Sequence, residues 1–364
     1  MHTQQTARPA AAAWLVAFLV AWLGTAISAS ACEEIKEAAL QDSDAIRDAF
    51  RLTAEQVAEM EEQLKKNPHD LQLRTKLLGY YFLKHERDPS VRPTRDAHVL
   101  WLIEHHPDEP ILAAPHGILS LGYCSPQQDK ATTLWNKHIE RRGDELAILY
   151  NAANSYTFIN QSRAIELLKR ASAIDPNSPC WHEEIGNMYR LEGRQRDGSV
   201  KEEIAAEALH AYEKAFQLVT RQMDRQSLRS AIAEMAMFAE QFDKAVRYAR
   251  DLLRVDMERE GRFRDCQAIY DCNMVLAEVA FAKGDLDKAG RLLVRAGKTS
   301  GSPSLGSFGP SMRLARNLLK AGRTEPVIEY LEQCGRFWQP KTTEKWIEQI
   351  KDGEIPDFGR NLRY

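Results

Sequence analysis

The stretch WHEEIGNMY, Trp181–Tyr189, sets His182 beside Glu183 and Glu184 and follows them with Asn187. It admits two readings, a metal or acid/base site and one face of a packed helix. A zinc-protease helix needs a second histidine four residues after the first, and Gly186 stands there. Trp181, Ile185 and Tyr189 recur at four-residue spacing, which is the buried stripe of an amphipathic helix. Gly186, with no side chain, lets a second helix approach closely. The stretch therefore predicts a packed helix, with neither a metal nor a cofactor.

The same spacing recurs on both sides. AIELLKRASAIDPNSP (164–179) puts Ala164, Leu168 and Ala171 on one face, and Pro176 stops the helix. ALHAYEKAF (208–216) repeats small, aromatic, small with Ala208, Tyr212 and Ala215. VLAEVAFAKGDLDKAGRLLVRAG (275–297) carries Leu276-Ala277, Ala280, Gly284, Ala289, Leu293 and Ala296. RLARNLLKAGRTEPVIEYLEQCG (313–335) carries Leu314-Ala315, Leu318, Gly322, Val327, Leu331 and Cys334. A weaker copy, 230–253, places Ile232-Ala233, Ala236, Ala245 and Leu252 in the same slots. Alternating β-branched runs are almost absent, so the pattern predicts helix after helix.

These units resemble tetratricopeptide repeats, helix–turn–helix modules of about 34 residues. The resemblance implies an all-α solenoid in which small residues set helix contacts and stacked first helices leave a concave groove for a protein or peptide partner. Beside the buried stripe, the positions expected to face that groove are Tyr150, Asn154, Glu183, Asn187, Arg190, Glu278, Phe281 and Arg316. They mix acids and bases, unlike the two-lysine clamp with which some members of the family hold a terminal carboxylate. The resemblance implies no enzyme activity.

The amino-terminal half is more diverged. KLLGYYFL (76–83) supplies Leu78-Gly79 and Phe82, Pro68 and Pro107 end helices, and a poor copy fits around ATTLWNKHIERRG (131–143). Six or seven repeats are expected over 53–338, stretched by insertions at 194–206 and 256–265. TTEKWIEQI (342–350) reads as a helix covering the last apolar face; with the coil tail it makes up 339–364. Residues 32–52 are an amino-terminal extension.

Residues 1–31 predict an export leader. Arg8 is their one charged side chain apart from a charge on His2; an apolar run of about 15 residues and an Ala29-x-Ala31 end follow. An uncleaved anchor needs about 20 apolar residues. Cys32, directly after the expected cut, is a candidate for lipidation, although the leucine usual three residues earlier is Ala29. A bacterial periplasm or cell envelope is the expected location, with membrane contact only through that lipid or an uncleaved leader. Export permits disulfides, but six cysteines in 364 residues, without a C-x-x-C, do not describe a disulfide-built fold. Cys266 and Cys272 lie too far apart on one helix to bridge.

The formal net charge of −3 offers no basic footprint for nucleic acid. Gly297-Lys298-Thr299 ends like a phosphate loop, but Leu292 stands where its first glycine belongs. His98 and His105, one heptad apart, predict only a surface pair. Two alternatives remain beside the scaffold. One is a lipid-anchored envelope assembly factor. The other is an enzyme or enzyme accessory acting on envelope polymer, which predicts convergent groove carboxylates of raised pKa.

Overall fold

A computed structural model describes residues 30–49, 51–85, 87–119, 126–257 and 265–362. The expected leader, apart from Ser30 and Ala31, and Cys124 lie outside them. The α-helices, in chain order, are α1 (Ala31–Ala49), α2 (Ala54–Lys66), α3 (Leu71–Lys84), α4 (Arg92–His105), α5 (Pro126–Arg142) and α6 (Leu146–Tyr156). Then come α7 (Gln161–Ile174), α8 (Pro179–Gly193), α9 (Glu202–Leu218), α10 (Gln222–Phe238), α11 (Phe242–Met257) and α12 (Cys266–Ala282). The last are α13 (Leu286–Gly297), the short α14 (Pro303–Phe308), α15 (Arg313–Lys320), α16 (Glu325–Cys334) and α17 (Pro340–Lys351).

From α6 onward the helices pack as pairs, α6/α7, α8/α9, α10/α11 and α12/α13, and each pair packs on the next. The pair α15/α16 closes the series through α13. This is an α-solenoid of tetratricopeptide-like hairpins. Its core is a series of apolar clusters that follow one another along the chain. The small slots read from the sequence lie in the core. Ala164, Ala171, Ala208, Ala215, Ala277, Ala289, Ala296 and Ala315 are all fully buried.

Gly186 shows why a slot must be small: a Cβ there would lie 2.7 Å from the Tyr212 ring. Tyr212 is itself buried, and its hydroxyl donates to Asn187 Oδ1 at 2.8 Å. Turns within the hairpins use the left-handed region at Gly284 (φ +79°) and Gly322 (φ +74°), where glycine carries no Cβ penalty. Asp285 then caps α13 by accepting from the Lys288 amide. One stripe position differs from expectation. Tyr189 is half-buried against the core, with its hydroxyl accepting from Lys169 of α7, and Met188 takes the buried place.

Residues 32–52 are more than an extension. Ser30 and Glu33 cap α1 reciprocally, Ser30 Oγ accepting from the Glu33 amide and Glu33 Oε2 from the Ser30 amide. The helix packs on α3, on the Pro110–Ala113 turn, on α6 and on α8. It therefore lies along the first helices of the amino-terminal hairpins. A disulfide joins its Cys32 to Cys180 in the first turn of α8. Cys266, Cys272 and Cys334 carry no disulfide.

At the other end Trp346 and Ile350 of α17 cover the last hairpin, as a capping helix must. The tail is ordered as well. Phe358 is buried against Trp346, and Asn361 Nδ2 donates to the carbonyls of Phe308 and Pro310.

Candidate binding groove

The first helices of three successive hairpins, α8, α10 and α12, line one concave cavity of about 570 Å³. The spacing along each helix is that of a single face: Glu183, Asn187 and Arg190 on α8; Ser227, Ser230, Glu234 and Met237 on α10; Gln267, Asp271, Met274 and Glu278 on α12. Ser311 and Arg313, at the start of α15, close one side.

The insertion after α8 forms a lip. Arg194 and Val200 pair as an isolated bridge, and Gly198 at the turn reaches the cavity. Asp197 in the same turn lies 3.9 Å from Arg316 of α15. The insertion thus ties the α8 end of the groove to the α15 end.

Four of the eight expected groove residues line this cavity: Glu183, Asn187, Arg190 and Glu278. The other four do not. Tyr150 is 5% exposed and sets its ring edge-on to Trp181 near Lys36 of α1. Asn154 bonds the Tyr150 carbonyl of its own helix. Phe281 packs into the carboxy-terminal core. Arg316 is taken up by Asp197. For the first two the reason is physical: α1 already lies along the first helices at that end.

Electrostatics divide the cavity unevenly. Arg190 lies 3.3 Å and Arg194 3.9 Å from Glu234. Arg313 pairs with Glu278 at 2.8 Å, with both side chains largely buried, and lies over the Phe238 ring. The Glu234 charge holds Arg190 above the ordinary guanidinium range. Burial raises the carboxyls of Glu183, Asp271 and Glu278. Lys36 partly offsets this for Glu183, and Arg313 for Glu278. Asp271 is pushed to about 7, by burial first and then by Glu234. Its hydrogen bond is with Gln267 Nε2 at 2.9 Å, and no cation stands within ion-pair distance among the described residues.

Sequence reasoning missed Glu234, Ser230, Met237, Met274 and Asp271. Register gives the first four. Glu234 follows Ala233 as Asn187 follows Gly186 and Glu278 follows Ala277; Ser230 and Met274 share the slot of Glu183, and Met237 that of Arg190. Asp271, one turn earlier on α12, has no such signal.

The histidines differ from expectation. His98 is buried, within 3.0 Å of Arg74 and 2.9 Å of Glu61. His105 is exposed, stacks on Trp101 and sits near His69 and His106. They form no pair.

No protein-family model matches the chain, and no curated protein matches it. Among solved structures, the crystal structure of yeast Tom70 is similar with a TM-score of 0.44 at 14% identity. The match covers 90% of this chain and 65% of that one.

Proposed function

We propose that this chain is an exported, non-enzymatic scaffold that binds a segment of a partner protein in the cavity between α8, α10, α12 and α15. One observation carries the reading: three successive hairpins turn the same face of their first helix, polar except for Met237 and Met274, onto one open, preformed concavity. A surface already in its binding shape loses little entropy on association. The test is crosslinking and pull-down from intact cells with the tagged chain and with Ser227→Arg/Ser230→Arg, which fills the groove from an accessible face. Partners captured by the wild type and lost by the folded variant support the groove. Identical partners from both sink it.

Export rests on the leader pattern of residues 1–31 and on the Cys32–Cys180 bond, a linkage that persists in oxidising compartments such as the periplasm. A lipid on Cys32 and this bond exclude each other, because both use the same sulfur. Intact mass of the protein from envelope fractions separates them. A disulfide removes two hydrogens, whereas a lipid anchor adds a diacylglycerol.

The raised carboxyls support a second reading, acid/base work on an envelope polymer. Asp271 and Glu278 share a helix seven residues apart, about 10 Å along its axis. Glu278 is neutralised by Arg313. Binding is the better supported of the two. Hydrolysis of isolated envelope polymer by the wild type, lost in Asp271→Asn, would reverse that order.

A further inference from the structure

Charge pairing within the groove identifies the chemistry of its occupant. Every arginine lining the cavity has a carboxylate within 4 Å: Arg190 and Arg194 face Glu234, and Arg313 faces Glu278. Among the described residues Asp271 has no cation within ion-pair distance, although it lines the same cavity. Its setting is built. Ser302 Oγ donates to Gln267 Oε1 at 2.6 Å, which turns Gln267 Nε2 toward Asp271 Oδ1. Asp271 Oδ1 is so engaged, and the residue lines the cavity. Apolar side chains stand close by, Met274 on the same helix and Met237 and Phe238 on α10, suited to the methylene stem of a long cationic side chain.

A second observation, independent of Asp271, shows the same concave surface receiving a lysine. Helix α1 lies across α3, α6 and α8 and delivers Lys36 Nζ to 2.6 Å from Glu184 Oε1. The preceding residue, Glu183, is already a wall of the open cavity. The free groove continues a surface on which the chain itself has seated a lysine-bearing helix.

Resting on the reading that the cavity takes a protein segment, we propose that the segment presents a lysine or arginine whose charged head binds Asp271, with its stem over Met274 and Met237. The cation offsets an acidic excess: Glu183, Glu234, Asp265, Asp271 and Glu278 line the cavity against Arg190, Arg194 and Arg313. The groups facing Asp271 agree: Glu234 from α10 and Asp265 at the cap of α12 oppose its ionisation, and Arg190 from α8 favours it without pairing. Since its carboxyl titrates near 7 in the free protein, seating a cation there at neutral pH releases a proton.

The experiment is selection of random twelve-residue displayed peptides on the full chain with its disulfide intact, followed by calorimetry on the best synthetic peptide. The expected pool is enriched in lysine and arginine. Asp271→Asn, which keeps the shape, weakens the peptide tenfold or more, and lysine→norleucine in the peptide does the same. The two changes together cost no more than either alone. Heats at pH 7 differ between phosphate and Tris buffers for the wild type and agree for Asp271→Asn. If Ser230→Arg abolishes binding while Asp271→Asn leaves it unchanged, the cation seat is wrong and the groove stands. If Ser230→Arg leaves it unchanged, or no peptide is selected, both fail. An acidic pool overturns the cation seat directly.

Discussion

A single carboxyl shows how this groove was assembled at the expense of stability. Asp271 titrates near 7 in the folded chain, well above its unfolded value of 3.8. A carboxyl raised on folding favours the native state where it is protonated, so its contribution is complete below about pH 4 and is lost as pH rises through 7. Asp271→Asn cannot ionise. Its urea midpoint should exceed that of wild type at pH 8, and the difference should shrink to nothing by pH 4; a constant offset across that range would contradict the assignment. Gly186 makes the complementary point for packing. A methyl group there meets the Tyr212 ring, which is buried and held by Asn187. Gly186→Ala should cost about 1–3 kcal/mol, as overpacked cores do, read as a lower urea midpoint. Gly186→Ala combined with Tyr212→Leu, which removes the ring, should recover part of it.

Elements were legible where they repeat. The small slots from Ala164 to Ala315 recur with one spacing, and a position repeated five times specifies its packing from local sequence alone. Groove faces were half legible for the same reason: register names Glu183, Asn187, Arg190 and Glu278, and applied to every hairpin it also names Glu234. Illegible were contacts made once and over long range. Nothing in α1 announces that it covers Tyr150, because its partners lie on three hairpins and its bond to α8 spans 148 residues. The tail is a second such case. Asn361 satisfies two carbonyls of the α14–α15 connection, and its own carbonyl accepts from the Met312 amide. Asn361→Ala would strand those buried acceptors, each worth about 1–3 kcal/mol when unsatisfied. Amide exchange should therefore accelerate at 309–313 beside the groove, with little change in α8. Equal acceleration in both places would mean that the tail braces the whole array and not its last hairpin.

Over the whole molecule, stability should be distributed as the cores are, cluster after cluster, each hairpin depending on its neighbours. The disulfide is the exception, because it joins the first helix to the middle of the array. Closing a loop of 148 residues removes about 5 kcal/mol of unfolded-state freedom in the chain-entropy account, comparable with the whole stability of many domains. Its loss should nevertheless act locally. Cys32 and Cys180 belong to the cluster that runs from α1 through α8, whereas α12 to α17 share a different one. Reduction, or Cys32→Ser with Cys180→Ser, should release α1 from α3, α6 and α8 and expose Tyr150, since Lys36–Glu184, a partly solvated pair, is too weak to hold the helix alone. Hydrogen exchange should then rise in α1 and along α6, leave α13 to α17 unchanged, and lengthen the open groove toward the amino terminus. A cationic peptide bound at Asp271 would keep its affinity, while a longer one with a second lysine would gain by reaching Glu184. Uniform loss of protection through α17 would show instead that the array unfolds as one unit, with the bond holding all of it.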